Sequence, residues 1–255
     1  MIIDSHVHIT DSGKWFSSSF DASVNLALKQ MNSAKISRAV VLNVAGHTDN
    51  LTLAKLLSKF KDRFHYFAHL DFKQPNVHDE LDFLVNNHGF SGLKIHPRIQ
   101  NIDPLDPLLL PVYDKAVELR IPVLFCCLLQ SNTVELEKFH PFIYDTLAKK
   151  YPNLKIIMAH CGWPRIWDAY HVVKSNKNVY MDISYIVNKF QNTSLMNDIP
   201  FMLENLDQKM LYGSDFPENS IDGYFNIFKS ISANLTQEKL DNICYKNIIK
   251  LLERD

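Results

Sequence analysis

The sequence predicts an α/β protein of the TIM-barrel, or (β/α)8, class, formed by a single domain over residues 1–255. Short β-branched or aliphatic runs alternate with longer segments of helical period, which is typical of βα units around a parallel sheet. Eight runs can be counted, the number of strands in a TIM barrel, and a length of 255 residues is common for this fold. The runs begin near Ile2, Ile36, Phe64, Phe90, Ile121, Leu154, Asn178 and Lys209. Because periodicity does not show closure, an open doubly wound sheet is the alternative.

Caps and apolar spacing predict several of the outer helices. The first is expected over residues 22–33, behind Asp21 as its N-cap. A later helix should stop at Gly89, and another should end before Pro152. The last helix carries one apolar stripe behind Thr236, a good capping residue.

Composition and charge exclude several classes of function. The 27 basic residues nearly balance 28 acidic ones, so no cationic excess is available for nucleic acid or an anionic membrane. The four cysteines are too few and too irregular for a disulfide framework, which favours reduced thiols. No secretory signal precedes Asp4, and the longest apolar run, near residues 123–129, is far shorter than the roughly 20 residues of a membrane helix. We therefore expect a cytoplasmic protein that acts on a small molecule.

The first strand carries two histidines, His6 and His8, two residues apart. Residues at this spacing on a strand point to the same face, so both imidazoles enter one space. Neutral imidazole is a good ligand for zinc, iron or nickel. A lone His-x-His pair is weak evidence for a metal, and the other strand ends supply the context.

Ionisable side chains recur where later apolar runs end. His96 follows run four, His160 follows run six and Asp215 follows run eight. Barrel active sites are built at the carboxyl ends of the strands. Each residue alone has a structural explanation, as a capping histidine or a turn aspartate before proline. Their recurrence favours one shared site.

These segments together resemble the amidohydrolase-related proteins of the amidohydrolase superfamily, which include aminocarboxymuconate-semialdehyde decarboxylase and related decarboxylases and lactonases. The similar segments keep the family's order over almost the whole chain, and they are DSHVH (4–8), GLKIHP (92–97), AHCG (159–162), VYMDIS (179–184), GSDFP (213–217) and NIIKLL (247–252). The resemblance implies a distorted TIM barrel with one divalent ion, commonly zinc. By position, His6, His8 and Asp215 match family ligands.

The fifth strand departs from the family pattern. Where relatives have a histidine ligand after proline and three apolar residues, this chain has Cys126. A thiolate can replace imidazole on zinc, so Cys126 is a candidate metal ligand. Cysteine also fills buried space without any chemistry, and the change admits a barrel that works without metal.

The resemblance also suggests roles for side chains around the ion. Asp215 would accept a proton from water, and His160 would polarise a carbonyl or donate a proton. The substrate-binding candidates are Lys94, His96, Arg98 and Arg165, since arginine after a strand can hold a carboxylate through paired hydrogen bonds. Asp4 is expected to orient one of the histidines.

Two tryptophans, Trp163 and Trp167, follow strand six and either wall the pocket or pack outside the barrel. Substrate selectivity is expected from the loops at residues 12–19 and 100–108, whose sequences contain no motif that identifies the substrate.

Metal-dependent hydrolysis of an amide, ester or lactone is the first hypothesis for function. Non-oxidative decarboxylation of an unsaturated or aromatic acid is the second, and a metal-independent or non-catalytic barrel is the third. The sequence does not determine the oligomeric state, and a homodimer, which is common among relatives, is the candidate.

Overall fold

The computed structural model describes residues 1–129 and 135–254, and its centre is an eight-stranded parallel barrel. The strands pair in chain order, and they are β1 (Ile3–Val7), β2 (Arg38–Leu42), β3 (Phe64–Ala68), β4 (Gly92–Ile95), β5 (Pro122–Phe125), β6 (Lys155–Met158), β7 (Val179–Asp182) and β8 (Met210–Leu211). Each strand begins within two residues of the predicted run.

The last strand returns to the first. Ser5 N donates to Tyr212 O at 2.9 Å, and a parallel bridge joins Val7 to Phe216. An open doubly wound sheet would leave its edges apart, so the return from β8 to β1 confirms the TIM-barrel prediction.

Twelve α-helices lie in the described ranges, mostly between successive strands. They are α1 (Val24–Ser33), α2 (Asn50–Leu57), α3 (Val77–His88), α4 (Pro97–Gln100), α5 (Leu110–Glu118), α6 (Phe142–Lys150), α7 (Ile166–Ser175), α8 (Ile186–Lys189), α9 (Leu195–Asn205), α10 (Ile221–Ile231), α11 (Gln237–Asp241) and α12 (Asn247–Leu252). No described helix is both long and apolar enough to cross a membrane.

Most of the predicted helix ends are confirmed. Gly89 caps α3 with φ of 76°, a left-handed conformation that glycine adopts readily, and Thr236 accepts from Lys239 N to cap α11. The prediction of Asp21 as the first N-cap was wrong. Ser23 caps α1, and Asp21 Oδ1 instead accepts from the Ser23 backbone N at 2.8 Å.

The core has two layers because alternate residues of each strand point inward and outward. The inner layer fills the barrel axis with residues from seven strands, and Ile248 and Leu251 of α12 pack against it. The outer layer packs between strands and helices. The interior is close-packed, since a Cβ on Gly92 would lie 2.5 Å from the Phe67 ring.

Candidate metal centre

Three buried side chains converge at the carboxyl ends of β1 and β8. His6 Nε2 and His8 Nε2 lie 3.2 and 3.3 Å from the same oxygen, Oδ1 of Asp215. Ligand atoms of all three residues lie within 4.8 Å of one another. The barrel thus brings together three residues that were predicted as metal ligands.

Backbone contacts between the two strand ends fix this convergence. Asp215 has φ of 66°, and its N donates to His6 O at 2.8 Å. Gly213 permits the approach, since a Cβ there would lie 2.9 Å from His6 Cβ. Asp4 Oδ1 accepts from the backbone N atoms of His6 and Ser214. The prediction that Asp4 orients an imidazole is therefore not what the contacts show, because this buried carboxyl orients main chain.

The hydrogen bond made by Nδ1 of each histidine determines whether its Nε2 carries a proton or a lone pair. His6 Nδ1 lies 2.9 Å from Asp182 Oδ2, and His8 Nδ1 lies 2.8 Å from Leu42 O. A carboxylate and a carbonyl only accept, so both Nδ1 atoms donate and both Nε2 atoms direct a lone pair at Asp215. Burial, followed by the charge of Lys94, lowers the pKa of His6 to about 4, which disfavours a proton on its Nε2.

These atoms fit a small divalent cation. Three acceptors that face one another repel unless a cation lies among them, and His6 Nε2 is buried with no hydrogen-bond partner in the described part of the chain. In a tetrahedral zinc site with bonds of about 2.0–2.1 Å, neighbouring ligand atoms are about 3.3 Å apart. The observed 3.2 and 3.3 Å match that spacing.

Asp182 was missed by the sequence reasoning, although it lies in the quoted VYMDIS segment. Its carboxylate contacts His6 Nδ1 and accepts from the backbone N atoms of His160 and Ser184. Burial alone would raise the pKa of Asp182, but His6 and the other partners hold it well below its usual range. His6, His160 and Asp182 form a second group whose ligand atoms lie within 4.8 Å of one another.

Cys126 lies beside these groups and belongs to neither of them. Its thiol interacts with both His96 and His160. Burial opposes the thiolate, yet these two histidines hold the pKa of Cys126 well below its ordinary value. Burial likewise disfavours charge on His160, but the hydrogen bond and charge of Cys126 raise its pKa to about 9.

The backbone at His160 is strained. His160 and Cys161 have φ of 58° and 48°, in the left-handed region that non-glycine residues rarely adopt. Such strain clusters at functional sites because the surrounding structure must enforce it. Here it lets the His160 ring return toward β1, with Nδ1 2.9 Å from Ser184 Oγ.

A cavity of about 390 Å³ opens over the three convergent residues. One wall carries three of the predicted substrate-binding residues, Lys94, His96 and Arg98. Lys94 is buried, which lowers the pKa of its ammonium group. His96 Nδ1 and Arg98 Nε are buried without a hydrogen-bond partner in the described ranges. This wall therefore carries nitrogen atoms whose hydrogen-bonding capacity is not used within the described residues.

Arg165 is not among the residues that line this cavity. Its side chain is 54% exposed, and Asp168 lies 3.8 Å away. The structure thus does not bring Arg165 to the other substrate-binding candidates. Its place at the start of α7 turns it towards solvent.

One of the aromatic side chains that line the cavity is Trp15, which sequence reasoning did not single out. Trp15 stacks on the His8 ring with 4.6 Å between centroids and donates from Nε1 to Glu218. Trp163 instead stacks on Phe190, and Trp167 is exposed, so neither lines the cavity. The only sequence signal for Trp15 was its place in the 12–19 loop.

A barrel whose strand ends join two histidines and an aspartate around a cavity is an enzyme fold with a site that could hold a metal. The chain belongs to the amidohydrolase family, which matches residues 3–254. This confirms the resemblance seen in the sequence, and it makes the chain an enzyme of hydrolase or lyase type. Among curated proteins, no sequence match was found.

Several solved structures share the fold. 5-Carboxyvanillate decarboxylase of Sphingomonas paucimobilis is 12% identical with a TM-score of 0.78, and the match covers 100% of this chain and 99% of that one. A probable 2-pyrone-4,6-dicarboxylic acid hydrolase of Acinetobacter baumannii, with citric acid bound, is 15% identical with a TM-score of 0.74 over 98% of each chain. A dihydroxybenzoic acid decarboxylase of Polaromonas with bound manganese is 16% identical with a TM-score of 0.71, over 98% and 96%.

Proposed function

We propose that this protein is a metal-dependent hydrolase that cleaves an amide, ester or lactone bond of a small anionic molecule. The observation that carries the proposal is the convergence of two imidazole lone pairs and one carboxylate, with both Nδ1 atoms engaged as donors. This arrangement has no evident structural purpose, since it concentrates electron density that only a cation offsets.

His6, His8 and Asp215 would hold one divalent ion, with zinc as the first candidate because of the ligand set and spacing. When bound, such an ion polarises a carbonyl oxygen and lowers the pKa of water towards about 7. Manganese is the second candidate, since the Polaromonas decarboxylase contains it. Ligation by Cys126 stays a prediction, and its place outside both groups gives it less support.

The chain's own groups would supply the rest of the chemistry. Asp215 would accept a proton from the attacking water, and His160 would donate one to the leaving group. Lys94, His96 and Arg98 would bind an anionic group, which would satisfy nitrogen atoms that cost about 1–3 kcal/mol each while buried without partners. Arg165 keeps its predicted role as substrate ligand only if its side chain turns inward.

Decarboxylation of an aromatic or unsaturated acid is the second candidate. The observation that favours it is the place of His160 on the cavity wall, where interaction with Cys126 raises its pKa and keeps a proton available for a developing carbanion. Four solved structures that share the fold are decarboxylases by name. A metal-independent barrel remains the third hypothesis because of Cys126.

Metal analysis and turnover assays on the purified protein distinguish the hydrolase, the decarboxylase and the metal-independent barrel. Metal content is measured first, and turnover is then assayed on lactone, ester, amide and aromatic-acid panels with and without chelator. Bond hydrolysis without release of carbon dioxide is expected, and carbon dioxide release would replace the first function with the second. Asp215→Asn should abolish turnover, while Asp168→Asn, outside the cavity, should leave it intact. If Asp215→Asn turned over substrate at nearly the wild-type rate, both the hydrolase and the decarboxylase proposals would be refuted.

We also propose a location, an oligomeric state and a domain organisation for the enzyme. We place it in the cytoplasm as a homodimer whose subunits each form one domain over residues 1–255. Light scattering on the purified protein measures the subunit number, and a single cooperative unfolding transition is expected for one domain.

A further inference from the structure

The cavity holds two opposite charges that do not pair with each other. Arg98 and Glu218 both line it. No ion pair within 4.0 Å joins either residue to a charged group in the described part of the chain. The two charged groups thus do not approach to ion-pair distance, and a ligand in the cavity can contact both.

Glu218 is an exposed residue at the cavity, and its carboxylate is held there by a hydrogen bond. Its Oε1 accepts from Trp15 Nε1 at 3.2 Å. Trp15 is itself buried and stacked between the rings of His8 and His47, with 4.6 and 4.8 Å between centroids. The indole therefore fixes one carboxylate oxygen beside the metal-binding candidates and leaves the other oxygen without a described partner.

Arg98 supplies the positive charge in the cavity that complements the negative charge of Glu218. Its Nε is buried and has no hydrogen-bond partner among the residues that the structure describes. Tyr185 lines the same cavity as both charges. Burial raises the pKa of its hydroxyl, Glu218 and Asp215 raise it further, and Arg98 opposes the rise. The two charges thus face one compartment with an aromatic side chain near both.

We infer that Glu218 determines specificity, and that the substrate is bipolar, with an anionic group for Arg98 and a hydrogen-bond donor, ammonium or hydroxyl, for Glu218. The inference rests on the proposed function for the identity of the site. The aromatic lining from Trp15, Phe16 and Tyr185 suits a flat scaffold between the two groups.

Direct binding tests this pairing without any turnover. The purified protein is titrated calorimetrically with benzoate and with its 3- and 4-hydroxymethyl and aminomethyl derivatives, which add only the donor. In the wild type, the best derivative should bind at least about fivefold tighter than benzoate, a modest gain because Glu218 is exposed. Glu218→Gln should remove the preference for the ammonium compound and leave benzoate affinity unchanged.

Two further variants exclude a merely structural effect. Arg98→Met should weaken all the benzoates alike and keep the preference, while Glu238→Gln, an exposed carboxylate on α11, should change nothing. Metal content and melting temperature of Glu218→Gln should equal those of the wild type.

Equal binding of benzoate and its derivatives to the wild type would overturn the inference. So would an unchanged preference in Glu218→Gln, or no binding of any member of the series. Failure of the proposed function is seen separately, as absence of metal-dependent hydrolysis in a protein that still discriminates the benzoates.

Discussion

His6 Nδ1 lies 2.9 Å from Asp182 Oδ2, and both side chains are completely buried. The two residues are 176 positions apart in the sequence, on β1 and β7. The carboxylate fixes the tautomer of the histidine and so directs its Nε2 lone pair at Asp215.

Asp182→Asn should weaken metal binding by about 10–100-fold, because an amide can donate to Nδ1 and reverse the tautomer of His6. It should also lower the free energy of unfolding by about 1–3 kcal/mol, since buried backbone donors lose a charged acceptor. Calorimetric metal titration and urea unfolding measure the two effects. Asp168→Asn is the matched control, and equal metal affinity in both variants would show that Asp182 does not orient His6.

Gly213→Ala should separate β8 from β1. The new methyl group would lie 2.9 Å from His6 Cβ and 3.3 Å from His6 N, so backbone must shift. Overpacking of this kind costs about 1–3 kcal/mol. We expect both lower stability and weaker metal binding, measured by denaturant unfolding and metal titration.

Gly92→Ala is the comparison for that variant. Its methyl group would meet the Phe67 ring at 2.5 Å, on β4 rather than on β1 or β8. It should lose stability but keep the affinity for metal. A Gly213→Ala protein that binds metal as tightly as Gly92→Ala would contradict the close-approach explanation.

Cys126→Ala should retain bound metal at the wild-type stoichiometry. The thiol lies outside the His6, His8 and Asp215 group and interacts with His96 and His160 instead. Metal analysis of the purified variant checks this, with His8→Ala as the positive control for loss. Metal lost to the same extent in both variants would make Cys126 a ligand.

Chelation should lower the melting temperature. An ion at about 100 times its dissociation constant stabilises the folded state by about 2.7 kcal/mol, or roughly 5–10 °C for a chain of this length. Differential scanning fluorimetry with and without chelator measures the shift, and Asp215→Asn should show none. The same melting temperature for wild type in both conditions would support the metal-independent barrel.

Local pattern predicted the architecture well. Strand starts were placed within two residues because apolar runs and their flanking turn residues are properties of adjacent positions. The helix cap at Gly89 was readable for the same reason. Asp21 was misjudged as an N-cap since two neighbouring residues, Asp21 and Ser23, both have capping side chains, and only the backbone path selects one of them.

The candidate site was predictable only in part. His6, His8 and Asp215 follow from their positions at strand ends, which the barrel gathers at one rim. Asp182 and Trp15 were missed because nothing in their local sequence says which ring they will contact. Arg165 was included for its position after β6, yet the start of α7 directs it away from the cavity.

By itself the sequence determined the kind of fold, the family and the strand ends from which the chemistry comes. Only the tertiary structure decided that Asp182 holds His6, that Cys126 lies beside the ligand group, and that Arg98 and Glu218 share a cavity without pairing. The physical reason is that periodicity is a property of residues that are close in the sequence. A distance of about 3 Å between atoms on β1, β7 and β8 depends instead on barrel closure and strand register.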